Sequence, residues 1–170
     1  GTDGGISRIQ TAGAGPAAAS ARAPSFQHFT KRHGLDDLAV RSLFEDRSGV
    51  LWIGTGNGLH ELSGPSGFRL HRFPGNSIDN TIRAVLQDRS GVIWIGAQKG
   101  LHRWHDGRWT RFTKAQGLPG DDVRALLEDK SGRLWIGTAG TGLGRLDFSA
   151  NAQVQDSKQT ATGIASSPGA

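Results

Sequence analysis

The stretch LFEDRSGVLWIGT at residues 43–55 recurs as VLQDRSGVIWIGA at residues 85–97 and as LLEDKSGRLWIGT at residues 126–138. The aspartates of the three copies lie at positions 46, 88 and 129, so the copies are spaced by 42 and then 41 residues. Each copy continues into a Gly-Leu pair, and in the first two copies an aromatic, basic segment follows at residues 68–73 and 109–112. A period of roughly 40–45 residues is typical of a repeat architecture.

Each copy predicts four short antiparallel strands. An apolar segment leads into Asp-x-Ser-Gly, where Asp can accept from the backbone two residues on and Gly accepts positive φ, so a tight hairpin follows. The Leu-Trp-Ile-Gly segment is the second strand, the Gly-Leu segment the third and the aromatic segment the fourth. Four antiparallel strands per repeat are typical of a β-propeller blade. We therefore predict an all-β, β-propeller fragment of four-stranded antiparallel blades, two complete and flanked by two incomplete ones.

The repeat boundaries divide the chain into segments. We expect the end of a preceding blade with a flexible Ala/Gly/Pro loop, then two blades, an incomplete blade and a low-complexity, disordered tail. The boundaries are 1–30 with its loop at 10–24, 31–73, 74–113, 114–147 and 148–170. Since a propeller closes with about 4–8 blades, the remaining blades of a parent propeller are expected partners.

Composition excludes several classes of protein. Lys+Arg 20 against Asp+Glu 15 leaves a net charge of +5, and there are 0 cysteines, so no disulfide, thiolate metal site or thiol nucleophile is possible. No apolar run approaches the ~20 residues of a membrane span, so we expect no membrane contact within the fragment. Trp104 and Trp109 alternate with basic residues, but the charge is modest and spread out, which favours an outer-strand surface and no nucleic-acid partner.

The Asp-x-x-Gly turn, the Leu-Trp-Ile-Gly-Thr strand and the Gly-Leu pair resemble the repeats of the two-component regulator propeller family, over about residues 26–147. The resemblance implies a ligand-sensing and interaction module, usually the periplasmic input region of a bacterial sensor anchored in the inner membrane. It implies no enzyme in this chain. A histidine kinase or diguanylate cyclase domain, and a homodimer, are options for the parent protein. The alternatives are a propeller enzyme of the lactonase, phosphotriesterase or lyase type and a pure protein-binding scaffold.

Twelve repeated positions are interpreted as structural. The aspartates cap hairpin turns, because the alternate position is Ser and because Ile or Thr stands where a calcium loop needs its bidentate Glu. The tryptophans are expected between blades, where each can bury ~150–250 Å², and the glycine two residues later leaves room for the neighbouring blade. These positions are Asp46, Gly49, Trp52, Gly54, Asp88, Gly91, Trp94, Gly96, Asp129, Gly132, Trp135 and Gly137.

The sequence predicts no cofactor, metal or catalytic group. His60 and His102 recur one residue past Gly-Leu, but equivalent positions on adjacent blades diverge and the third copy has Gly144. The turn serines have no His–Asp partner. The first strands begin with Val-Arg or Ile-Arg, whereas propeller enzymes need carboxylate, Asn or His ligands there. On the assumption that His102 is exposed, His102→Ala is expected to cost about 0.5 kcal/mol or less.

The candidate ligand-binding residues lie at the end of the blades where each strand four links to the next strand one. An arginine at the same place in three blades predicts a cationic arc that captures carboxylate or sulfate groups. An anionic oligosaccharide or another small ligand is then the expected partner. Alternatively, each arginine pairs with an acid of its own link, such as Asp37 or Asp122. The candidates are Arg41, Arg83, Arg124, His33, Asn57, Gln98 and Lys99.

Overall fold

A computed structural model describes residues 4–10, 25–63, 67–73, 81–147 and 164–166. These residues form short strands, with 3-10 turns at Lys31–His33 and Lys114–Gln116. The strands are β1 (Ile6–Gln10), β2 (Ser25–Phe29), β3 (Ser42–Glu45), β4 (Leu51–Thr55), β5 (Gly58–Ser63), β6 (Gly67–His71), β7 (Ile82–Gln87), β8 (Ile93–Ala97), β9 (Gly100–His105), β10 (Arg108–Phe112), β11 (Val123–Glu128), β12 (Leu134–Thr138), β13 (Gly142–Leu146) and β14 (Ile164–Ser166). No helix among the described residues is long and apolar enough to cross a membrane.

The strands form four antiparallel sheets, which confirms the predicted all-β propeller blades. The first blade is β3-β4-β5-β6, the second is β7-β8-β9-β10, the third is β11-β12-β13-β14, and β1 pairs with β2 alone. Within the tail expected to be disordered, the three-residue strand β14 pairs with β13. The rest of the tail, 148–163 and 167–170, lies outside the described residues, as do most of the Ala/Gly/Pro loop and residues 74–80.

The hairpin between strands one and two of each blade follows directly from its Asp-x-Ser-Gly sequence. In the first blade Asp46 Oδ1 accepts hydrogen bonds from the backbone N–H groups of Ser48 (2.8 Å) and Val50 (3.0 Å). Gly49 closes this turn with a φ of 79°, in the left-handed region that glycine adopts most easily. The other two copies repeat both features.

Two apolar cores hold the three blades together. The first lies between the first and second blades around Trp52 and Ile82, and the second lies between the second and third blades around Trp94 and Val123. A Cβ atom on Gly54 would lie 2.6 Å from Ile82 Cγ2, and one on Gly96 would lie 2.8 Å from Val123 Cγ1. A glycine is needed at these positions because a β-branched side chain of the next blade packs against the backbone.

The two histidines that follow Gly-Leu lie in the interior. The expectation that His102 is exposed is wrong: it is only 5% exposed, and its ring stacks on Phe73 with 4.1 Å between ring centroids. His60 is fully buried. The third strand of a blade is covered on this face by the preceding blade, so a side chain there packs across the blade boundary. The small cost expected for His102→Ala was conditional on exposure, so it does not apply to this buried side chain.

Candidate functional site

Each blade has two ends, and the candidate ligand-binding residues lie at one of them, here named the link end. It carries the start of strand one, the turn between strands two and three, and the link that arrives from strand four of the preceding blade. Backbone hydrogen bonds join these parts: Gln98 N–H donates to Thr81 O (3.0 Å) in the second blade, and Ala139 N–H donates to Asp122 O (2.9 Å) in the third. The opposite end, named the turn end, carries the Asp-x-Ser-Gly hairpins.

Asp122 joins two of the three candidate arginines. Arg83 Nε donates to Asp122 Oδ1 at 2.8 Å, and Arg124 Nη2 donates to Asp122 Oδ2 at 2.9 Å. Arg124 thus pairs with an acid of its own link, whereas Arg83 reaches the link of the next blade. The Arg83 side chain is 19% exposed and that of Arg124 is 55% exposed. Of these two guanidinium groups, Arg124 is therefore the more accessible to a ligand.

Arg41 occupies the equivalent position in the first blade and is exposed. A Cβ atom on Gly56 would lie 2.6 Å from Asp37 Oδ2 and 3.9 Å from Arg41 Nε, so the carboxylate and the guanidinium flank this glycine. The other oxygen of Asp37 accepts from Ala39 N–H at 2.9 Å. The link end therefore carries both arginines and carboxylates, with Asp37 beside Arg41 and Asp122 between Arg83 and Arg124.

The other four candidates differ in their availability for a ligand. His33 Nδ1 accepts from Thr30 N–H at 3.0 Å and caps a 3-10 turn, so this ring nitrogen is engaged. Asn57 Nδ2 donates to Asp36 Oδ2 at 3.4 Å. Gln98 and Lys99 are exposed in the turn between β8 and β9. These last two residues lie on the accessible surface of the link end.

A histidine–carboxylate pair was not anticipated from the sequence. His60 Nε2 lies 2.6 Å from Asp36 Oδ1, and Arg72 Nη2 lies 4.0 Å from the other oxygen of Asp36. The third copy has Pro119 and Gly144 at the equivalent positions, so it lacks both members of the pair. Their joint absence is the sequence signal for this contact.

The turn end is held by an aspartate–tryptophan hydrogen bond in every blade. The indole N–H donates to Asp Oδ2 six residues earlier, at 2.8 Å in Trp52, 2.7 Å in Trp94 and 2.8 Å in Trp135. In the third blade the Trp135 indole, the backbone N–H and side chain of Arg133 and the Ser131 N–H hold the pKa of Asp129 well below its usual range. The sequence predicts the turn cap, and the indole contact adds to it at a constant spacing of six residues.

A basic residue connects the turn end of each blade to that of the next. The Arg47 guanidinium donates to the carbonyl oxygens of Asp88 (2.8 Å) and Arg89 (2.9 Å), and Arg47 N–H donates to Gln87 Oε1 (2.9 Å). Arg89 repeats this arrangement on the third blade, where Asp129 O, Lys130 O and Glu128 Oε2 accept. We call this arrangement the turn clamp. The second position of Asp-x-Ser-Gly is basic in all three copies, and this is the sequence signal for the turn clamp.

Besides these contacts, the described residues include a second histidine–carboxylate pair, His71 Nε2 with Glu61 Oε2 at 2.6 Å, and an apolar cavity. No group of three or more His, Cys, Asp or Glu side chains in this part of the chain is arranged to hold a metal ion. A cavity of about 280 Å³ opens on the third blade. Its lining residues are Ala125, Leu126, Leu127, Trp135, Gly137 and Leu143.

The four-stranded blades, their shared tryptophan cores and their inter-blade clamps define a β-propeller repeat protein. Residues 34–57, 76–99 and 117–140 each match the family described as two component regulator propeller. The chain therefore carries three repeats of this family. No curated protein matches the sequence significantly.

Solved propellers share the fold. The extracellular domain assigned to a hybrid two-component system of B. thetaiotaomicron is 28% identical with a TM-score of 0.65, covering 74% of this chain and 18% of that one. PorZ, a surface component of the type-IX secretion system of Porphyromonas gingivalis, is 21% identical with a TM-score of 0.63, covering 84% and 22%. A virginiamycin B lyase from Staphylococcus aureus is 16% identical with a TM-score of 0.54, covering 72% and 42%. The chain therefore spans about a fifth of the first two structures.

Proposed function

We propose that this chain is a ligand-sensing and interaction segment of a sensor propeller, placed in the periplasm as part of a membrane-anchored two-component or cyclic-dinucleotide signalling protein. Three regulator propeller repeats and the 28% identity to an extracellular two-component domain support this proposal. A ligand on such a propeller would shift the population of an output domain, within the limit set by its differential affinity for the two states. The output kinase or cyclase and a homodimer are proposals for the larger protein.

The arginines of the link end carry the ligand proposal. Two exposed guanidinium groups, Arg41 and Arg124, lie at equivalent places on blades that flank the partly buried Arg83. Guanidinium groups favour bidentate contacts with carboxylate and sulfate. An anionic oligosaccharide offers such groups at repeated spacing, so it could engage more than one blade. Such a ligand would compete with Asp122 for Arg124, which is the more exposed partner of that carboxylate.

A propeller enzyme and a scaffold that binds only protein remain the alternative proposals. The likeness to the lyase concerns the fold, and the starts of the first strands carry arginines where a metal-dependent propeller enzyme needs metal ligands. Cationic residues at the link end favour a sensor of anionic ligands over a catalytic centre.

The test is calorimetric titration of the 170-residue chain with sulfated oligosaccharides of heparin at two salt concentrations. We expect binding that weakens as salt rises and falls about tenfold or more when Arg41→Ala and Arg124→Ala are combined. Arg69→Ala removes an exposed arginine of the outer strand β6 and serves as the matched control. Equal binding by all variants would refute the arginine site. Binding of a protein partner alone would favour the scaffold.

A further inference from the structure

The position two residues before the first-strand arginine differs among the three blades. It is Ala39 in the first blade, Thr81 in the second and Asp122 in the third. Thr81 and Asp122 are also equivalent in the structure, because the carbonyl oxygen of each accepts the same backbone hydrogen bond from the turn between strands two and three. A carboxylate thus stands at this position in the third blade alone, and the blade repeat itself does not require it.

Asp122 holds two of the three link-end arginines, but with different geometry. Arg83 Nε donates to Oδ1 at 2.8 Å, whereas Arg124 directs both Nε (3.3 Å) and Nη2 (2.9 Å) at the other oxygen, Oδ2. The Arg124 contact therefore lacks the arrangement of two parallel bonds to two oxygens in which guanidinium pairs are strongest. A sulfate or carboxylate group of a ligand, which offers Arg124 two oxygens, improves on this contact.

Release of Arg124 leaves the Asp122 carboxylate with a partner. The side chains of Asp122 and Arg83 are 25% and 19% exposed, against 55% for Arg124. When a ligand takes Arg124, the less accessible Arg83 still neutralises the carboxylate, so no half-buried charge is left alone. The exchange then costs the ligand one exposed ion pair, which is a small amount of free energy. Asp122 therefore weakens the site for anions without closing it.

The second blade has a threonine in place of this carboxylate, beside the arginine of the first blade. Thr81 Oγ1 donates to Gly56 O at 3.2 Å, and a Cβ atom on Gly56 would lie 3.9 Å from Arg41 Nε, so both side chains approach the turn between β4 and β5. Asp37 flanks the same glycine, but Arg41 forms no ion pair with the described residues. Arg41 is thus open to a ligand where Arg124 is occupied.

We propose that Asp122 is an internal competitor of the anionic ligand: its carboxylate occupies Arg124 in the free protein and thereby sets the affinity of the link end for anions. This inference rests on the proposed function, in which Arg41 and Arg124 bind the ligand. The residue at this link position then determines how strongly each arginine is held back, so a carboxylate masks a guanidinium group and a threonine leaves it accessible.

The test is calorimetric titration of variants of the 170-residue chain with sulfated oligosaccharides of heparin. Asp122→Asn keeps an acceptor for Arg83 but removes the charge, and we expect it to bind about fivefold more tightly than the unchanged chain, the equivalent of one exposed ion pair. This gain should vanish when Arg124→Ala is added. Thr81→Asp, which gives the second blade the carboxylate of the third, should weaken binding about fivefold.

Asp147→Asn is the matched control for the change in charge. Arg145 Nη2 lies 2.9 Å from Asp147 Oδ2, two residues later, as Arg124 Nη2 lies 2.9 Å from Asp122 Oδ2 two residues earlier. Asp147 directly follows β13 at the turn end, away from the proposed site. This variant should change the affinity by less than about twofold. If Asp122→Asn does not fold, Asp122→Thr, which introduces the residue of the second blade, replaces it.

The other outcomes separate the inference from the proposed function. Equal binding by Asp122→Asn and the unchanged chain would show that Asp122 only joins the blades through Arg83. A gain of the same size in Asp147→Asn, or a gain that persists without Arg124, would show an effect of net charge. Each of these results overturns the inference and leaves the proposed function intact. Binding that does not depend on Arg41 and Arg124, or no binding by any variant, overturns both.

Discussion

Replacing Trp94 by phenylalanine tests the hydrogen bond between the indole and the turn aspartate. The Trp94 side chain is 1% exposed, and its N–H donates to Asp88 Oδ2 at 2.7 Å. Phenylalanine keeps an aromatic ring in the second core but removes this donor. Asp88 is itself 3% exposed, so water cannot easily replace the indole.

The expected loss follows from the surroundings of Asp88. A hydrogen bond to a charged group contributes about 1.5–3 kcal/mol, and an unsatisfied buried acceptor adds a desolvation cost of similar size. The smaller ring also leaves a void in a core that is packed from both blades. We therefore expect Trp94→Phe to lower the free energy of unfolding by roughly 3–4 kcal/mol. Trp94→Ala should cost more, because it also removes the aromatic ring.

Trp135→Phe in the third blade is the matched control. Trp135 is half-buried, and Arg133 Nε also donates to Asp129 Oδ2, at 2.7 Å, so this carboxylate keeps a partner. The expected loss is about 1 kcal/mol. Urea denaturation followed by far-UV circular dichroism gives both values without relying on tryptophan fluorescence. Equal losses for the two variants, or less than about 1 kcal/mol for Trp94→Phe, would refute the role assigned to the buried Asp–Trp pair.

Three further predictions concern the blade boundaries. Burial and the charge of Arg111 lower the pKa of His102 from 6.5 to about 4, so the fold holds the neutral ring. The neutral ring's contribution to the free energy of unfolding is fully present above about pH 6.5. It is lost as the pH falls toward 4, by up to ~3 kcal/mol. His102→Gln should flatten that part of a Tm-versus-pH profile, and parallel profiles of the variant and the parent protein would contradict this prediction. Gly96→Ala should cost about 1–3 kcal/mol in denaturant titrations because its Cβ would strike Val123, and a neutral result would mean that the blades can separate without cost. Arg89→Ala should speed hydrogen exchange of the backbone amides in the Asp129 turn while leaving those in the Asp46 turn unchanged. Equal protection of the amides in both turns would show that the turn clamp does not stabilise the receiving blade.

The sequence predicted the blades because their determinants are local. Asp46 and Gly49 specify a turn through bonds to residues two to four positions away, and the repeated Trp and Gly positions mark the face of a strand. The repeat period then fixes how these units follow one another. The arrangement of four strands required no knowledge of distant contacts.

Most contacts across the blade boundaries could not be read from the same pattern. Arg83 pairs with Asp122, 39 positions later, and His102 is buried by Phe73 of the preceding blade. Both depend on how two blades are rotated against each other, which a repeat pattern does not specify. The basic turn residues Arg47 and Arg89 were visible as a repeated position, but their acceptors are backbone carbonyls that carry no sequence signal.

Ligand binding is proposed at the link end, whereas the turn clamps that join the blades lie at the turn end. Proton–nitrogen NMR of the arginine Nε groups, recorded while a sulfated oligosaccharide of heparin is added to the 170-residue chain, tests this division most directly. The account predicts chemical-shift changes for Arg41 and Arg124 and none for Arg47 or Arg89. Changes confined to Arg47 and Arg89, or no changes at saturating ligand, would contradict it.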